Sequence, residues 1–199
     1  MLSTRLFKVA TTSLALVLAT AVADARSLKW ARTADALTLD PHAQNEGPTH
    51  TLLHQLYEPL LLRDHAGKIH PTLALSWKVT EDPAVWEFKL RQGVKFHNGN
   101  PFNADDVVFS LNRARQPTSD MKGLLTSIDT VSKVGDHTVH IKTKGPNPLL
   151  PAYLTNLYMM DKEWSEANNT TTVQDYKAKV DNFAVRNANG TGPYKLVSR

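Results

Sequence analysis

The 199-residue chain carries 23 basic and 19 acidic residues, a formal net charge of +4, with 41% hydrophobic and 21% charged residues and no cysteine. This is the composition of a globular protein of one or two domains. It excludes a disulfide scaffold, and the basic excess is too small and too dispersed for a nucleic-acid footprint.

Met1 to Lys8 carries Arg5 and Lys8, and Val9 to Ala23 is apolar and free of acid. Ala21-Val22-Ala23 and Ala23-Asp24-Ala25 both satisfy the small-x-small rule. Residues 1–25 therefore read as a cleavable secretory signal, cut after Ala25 or, as second choice, Ala23; an uncleaved anchor helix is the alternative. Ser27 to Arg32 predicts a short buried strand, and Asp35 to Gly47 has little periodicity. Pro48 opens a helix through Leu52, Leu53, Leu56 and Tyr57 that ends near Glu58-Pro59. Leu60 to Arg63 and Lys68-Ile69 predict a hairpin around Asp64-His65-Ala66-Gly67.

Trp77 and Val79 alternate with Lys78 and Thr80, and Glu81-Asp82-Pro83 supplies turn chemistry. Trp86, Phe88 and Leu90 then place three large apolar groups on one face of a strand, which Val94 and Phe96 resume after Gly93. His97-Asn98-Gly99-Asn100-Pro101 predicts a loop. Asn103 caps a helix whose first turn holds Asp105 and Asp106, with Val107, Val108, Leu111 and Ala114 on its apolar face. Met121 to Ser127 predicts a short helix. Ile128 to Val134 and His137 to Thr143 predict a second hairpin, with Val139 and Ile141 facing opposite to His140 and Lys142. Tyr158-Met159-Met160 predicts a buried strand, Asp161 to Asn168 and Val173 to Val180 predict helices, and Tyr194 to Val197 a strand.

Leu73 to Ala114 resembles a known signature. The run SW-x-V followed by W-x-F-x-L-R-x-G-V-K-F-H-x-G-x-P-F-x-A-D-D-V-V-F-S is similar to that of extracellular solute-binding protein family 5, the dipeptide-, oligopeptide- and nickel-binding receptors of ABC importers. Leu39-Asp40-Pro41-His42, the LYEPLL run at 56–61, and Gly190-Thr191-Gly192-Pro193-Tyr194 resemble the family too. The resemblance implies a mixed α/β fold of the type II periplasmic-binding-protein kind, present as an incomplete first lobe and a smaller inserted domain. Residues 26–60 and 188–199 would belong to the first lobe, and residues 61–187 to the inserted mixed domain. The resemblance covers nearly all of the chain after the signal but only the N-terminal part of a complete receptor, so a fragment or truncated product is expected.

What the resemblance implies of function is binding without bond chemistry. A small solute such as a di- or oligopeptide would be held between two lobes, and the closed form would dock on an inner-membrane ABC permease from the periplasm. The loop after LDPH would border the cleft, making Glu46, Gly47 and Pro48 the ligand-cleft candidates. No catalytic residue, metal ligand or cofactor is expected. Gly-x-Ser-x-Gly, a P-loop and Gly-x-Gly-x-x-Gly are all absent from the sequence. His50 and His54 stand four apart on a predicted helix, a metal-compatible spacing without a third ligand in view. His137 and His140 point to opposite faces of a strand. The alternatives are a secreted enzyme whose active site lies outside these residues, and a truncated product without function.

The export signal is testable: N-terminal sequencing of periplasmic material should begin at Arg26 or Asp24. Intact Met1 recovered from the membrane fraction would refute it.

Overall fold

A computed structural model describes residues 29–32 and 34–199. The expected export signal and the start of the expected strand at Ser27 lie outside the described residues. Lys29–Arg32 is not a strand: Trp30 is exposed, with the Arg32 guanidinium 5.0 Å over its ring. Thr33–Arg199 forms one compact unit.

Helix α1 spans Gly47–Leu56, one residue upstream of the predicted Pro48 start, because Glu46 takes the N-cap position. Strands β1 (Leu61–Arg63) and β2 (Ile69–Pro71) make the predicted hairpin, with Leu62 opposite His70. Strands β3 (Ala74–Val79), β4 (Val85–Leu90), β5 (Ile128–Gly135) and β6 (Thr138–Thr143) form an antiparallel sheet in the order β3-β4-β6-β5. Trp77 pairs with Phe88, and Phe88 with Val139; all three side chains point to the same face. That face is covered by helix α2 (Ala104–Ala114). Asn103 and Asp106 close the reciprocal capping box that starts α2: Asp105 N donates to Asn103 Oδ1 and Asn103 N to Asp106 Oδ2. Helices α3 (Leu150–Tyr153) and α4 (Lys162–Ala167) and single turns at 122–125, 154–156 and 183–185 complete the unit.

Two cores result. The larger lies between the sheet, α2 and the first hairpin and includes Leu61, Phe88, Phe102, Leu111, Ile141 and Leu154. The smaller collects Leu39, Leu53, Tyr57, Tyr158, Met160 and Ala184 around α1. Tyr158-Met159-Met160 is buried as predicted but is not a full strand. Its side chains alternate between the two cores, and its backbone bonding to the neighbouring chain is a single bridge at Pro59, beside the bond from Met159 N to Glu58 O.

Three other expectations are corrected. Val94 and Phe96 do not extend β4. Phe102 N donates to Val94 O and Phe96 N to Asn100 O, so the 94–102 segment folds on itself and stacks Phe96 against Phe102. Val173 to Val180 is not a helix, because Val173 N and Gln174 N donate to the side chains of Gln116 and Asp40, and a turn with Lys179 at positive φ joins Asp175 to Val180. Tyr194 to Val197 pairs with no strand among the described residues. Instead Gly192 N donates to Leu56 O and Tyr194 N to Gln55 O, stitching this segment to the end of α1. The approach is so close that a Cβ at Gly190 would stand 2.0 Å from Leu56 O, and one at Gly192 2.5 Å from the Leu56 carbonyl carbon.

Phe88 is wholly buried at the centre of the sheet. Phe88→Ala should cost about 3–5 kcal/mol of stability. A denaturation midpoint that does not move would show that this face carries no core.

Candidate functional site

The three cleft candidates start helix α1. Glu46 is half-buried, and its carboxylate already accepts from Thr49 N at 2.7 Å as the helix cap. Gly47 is exposed, and Pro48 sits in the first turn, where its missing N–H costs nothing. One turn on, His50 and His54 flank the buried Tyr158 ring, with ring centroids 5.7 and 5.0 Å away. His50 is held at both nitrogens, by Asn45 Oδ1 and by the Tyr158 hydroxyl. Burial lowers the pKa of both histidines. These imidazoles serve the packing of α1 on Tyr158 and do not converge on a shared open point.

Beneath that loop the LDPH motif builds a polar centre that sequence reasoning did not find. Asp40 and Arg113 form a wholly buried bidentate pair at 2.8 and 2.7 Å. Arg113 Nε also donates to Thr170 O, and its Nη2 to Thr172 O. Asp40 accepts in addition from Gln174 N and Asn182 Nδ2. The pair thus ties three distant segments of the chain together. His42 completes it: Nε2 donates to Tyr158 O at 3.0 Å, leaving Nδ1 to accept from Arg113 Nη1 at 3.0 Å. Burial and the Arg113 charge hold that imidazole neutral, with its pKa down at about 3, against the opposite pull of Asp40 and the Tyr158 carbonyl. Burial alone would raise the Asp40 carboxyl; the Arg113 charge and the surrounding donors overcome it and bring the pKa to about 2.

A second carboxylate centre lies where the HNGNP loop meets α4. Asp161 caps α4 through Trp164 N, and its other oxygen accepts from Asn98, Asn100 and Asn189 at 2.8–2.9 Å. His97 closes the same contact: its N donates to Gly190 O and its Nε2 to Gly192 O. Asp106, Asp161 and Glu163 bring carboxylate oxygens within 4.8 Å of one another. The Asp106 and Asp161 oxygens are already committed to protein donors, Asp106 accepting from Asn103 N and Lys162 N. Burial raises Asp106 to about 7 despite those two donors, and the charges of Glu163 and Asp161 add to the rise.

These motifs match a defined family. The family described as bacterial extracellular solute-binding proteins, family 5 Middle, matches residues 68–199. The chain belongs to this family. Among its family 5 relatives, a glutathione-binding protein of Pectobacterium atrosepticum is 31% identical over 163 residues, covering 81% of this chain and 30% of its own length. The periplasmic oligopeptide-binding protein OppA of Haemophilus influenzae is 37% identical over 86 residues, 43% of this chain and 16% of the relative. Two solved structures share the fold. NikZ of Campylobacter jejuni, in complex with Ni(L-His), has a TM-score of 0.70 at 26% identity over 83% of this chain and 32% of that one. The periplasmic binding protein DppA of Helicobacter pylori, in complex with the peptide STSA, has a TM-score of 0.64 at 28% identity over 81% and 35%. The fold is therefore the mixed α/β type II periplasmic-binding-protein fold. The chain spans about 30% of the length of the glutathione-binding relative.

His42, Asp40 and Asp106 carry the large shifts that shape the acid pH dependence, and the lowered His50 and His54 act in the same direction as His42. Unfolded His42 binds its proton near 6.5 and folded His42 near 3, so stability falls as pH drops through that window. Asp40 adds a fall between 3.8 and about 2. Asp106 works the other way: the folded chain keeps its proton up to about 7, so stability rises as pH drops from 7 to 3.8. The opposing slopes should leave denaturant stability nearly level between these limits and make it fall steeply in more acid solution. In Asp106→Asn the fall should instead begin near pH 6.5. An Asp106→Asn profile that overlays the wild type would refute the assignment.

Proposed function

We propose that this chain carries part of a periplasmic receptor that captures a small solute, such as a di- or oligopeptide, for an inner-membrane ABC permease. The observation that carries this reading is the family 5 match joined to relatives named for glutathione and oligopeptide binding. The role is capture and release by lobe movement, without bond chemistry. Residues 26–60 and 188–199 are assigned to one lobe and residues 61–187 to the smaller inserted domain. Support for pairing the two outer segments is their direct backbone contact, Gly192 N to Leu56 O and Tyr194 N to Gln55 O. Residues 1–25 direct export.

Glu46, Gly47 and Pro48 are the proposed cleft residues. They form the N-cap and first turn of α1, and the Asp40–Arg113 centre lies just before them in the chain. In this reading an extended ligand backbone would pass the exposed Gly47, and the Glu46 oxygen not taken by Thr49 N would meet a ligand amine.

Calorimetry of the receptor carrying this chain, against glutathione, di- to pentapeptides and a nickel–histidine complex, tests the proposal. One of the peptide-type solutes should give a saturable one-to-one isotherm. Glu46→Gln, which keeps an oxygen for the cap, should weaken it about tenfold, or about 1.4 kcal/mol. A receptor that binds none of the panel overturns the function, and unchanged affinity in Glu46→Gln overturns the site.

A further inference from the structure

The chain contains two Asn-Gly steps, Asn98-Gly99 and Asn189-Gly190. Asn-Gly is the dipeptide most open to deamidation, because glycine leaves the following N–H unhindered. In that reaction the Gly backbone nitrogen attacks Asn Cγ. A C–N bond forms, ammonia leaves, and a succinimide closes. Water then opens the ring at either carbonyl to give Asp or isoAsp.

Both steps meet at one atom. Asn98 Nδ2 donates to Asp161 Oδ2 at 2.8 Å, and Asn189 Nδ2 donates to the same oxygen at 2.9 Å. The other half of each amide is held as well: Asn98 Oδ1 accepts from Asn100 N, and Asn189 Oδ1 from Asn98 N. An amide fixed at both ends cannot rotate its carbonyl carbon toward the next backbone nitrogen, and that approach is what the reaction needs. Gly99 N is itself engaged with Phe96 O at 2.9 Å. A carboxylate accepting from the amide nitrogen also makes the carbonyl carbon a poorer electrophile and supplies no proton to departing ammonia.

We propose that Asp161 is a chemical guard: its carboxylate holds both Asn-Gly amides in a non-reactive pose and so protects the contact between the HNGNP loop and the 189–192 segment from deamidation. The two steps differ in exposure. Asn98 and Gly99 are exposed, whereas Asn189 is buried and Gly190 is pressed on Leu56 O. Asn98 is therefore the site that reacts first when the guard is lost. The product would set a second carboxylate against Asp161 and replace attraction by repulsion.

The test is peptide-mapping mass spectrometry of the full chain aged in warm, mildly alkaline buffer. Asp161→Asn keeps an oxygen for Trp164 N but removes the acceptor for the amides. It should deamidate at Asn98 at least about tenfold faster than wild type, with Asn189 lagging. Ile141→Val, a core change remote from the loop, should age like wild type. Equal rates in Asp161→Asn and wild type would overturn the proposal, as would equal acceleration in Ile141→Val. Should Asp161→Asn not fold, the wild type decides: Asn98 must deamidate at least about tenfold slower folded than in urea, and equal rates overturn the guard.

Discussion

The wholly buried Asp40–Arg113 pair is the constraint on which the rest of the structure depends. A buried ion pair gains little net stability over a well-packed apolar pair, but removing one partner strands a charge and costs about 3–5 kcal/mol. What the pair supplies here is geometry. The guanidinium of α2 meets the LDPH turn on one side and the carbonyls of Thr170 and Thr172 on the other. The remaining Arg113 N–H goes to His42 Nδ1, and Asp40 accepts further from Gln174 N and Asn182 Nδ2. The start of α1, which carries the cleft candidates, follows this centre within a few residues.

Asp161 plays the matching part where the HNGNP loop meets α4. The two centres divide the work by charge. Asp40 faces a cation and stays ionised deep in the protein, whereas Asp161 faces three neutral amides and a helix N-terminus. Asp106, between them in sequence, has only two backbone donors and no cation, and its pKa moves up instead of down. Asp40 and Asp106 thus hold opposite protonation preferences, set by whether the local donors and charges outweigh the loss of water.

The family signature can be understood through these contacts. Its aromatic residues fill the sheet face under α2, its Asn-Ala-Asp-Asp run caps that helix, and its His-Asn-Gly-Asn run clasps the 189–192 segment. The Gly-Thr-Gly run lies where α1 ends, and its two glycine positions leave no space for a Cβ. Most of the signature therefore builds a scaffold. The proposed cleft residues sit at its margin, where the helix begins.

Local chemistry determined much of this protein. Alternation of two in Trp86, Phe88 and Leu90, the Asn103 cap, and the turn residues at 64–67 and 135–136 each act within a few residues, so both hairpins, α1 and α2 were legible from the sequence. Misread segments were those whose backbone donors are claimed from far away. Val173 and Gln174 give their N–H groups to Gln116 and Asp40, and Gly192 and Tyr194 give theirs to the end of α1. The Asp40–Arg113 partnership, 73 residues apart, leaves no periodic trace, since a charged residue on a helix reads as solvated until the fold shows what covers it. Sequence by itself determined both hairpins, α1, α2 and the family resemblance; only the tertiary structure decided the paths of 173–180 and 192–197 and which charges are buried together, because both depend on segments that meet only when the chain has folded.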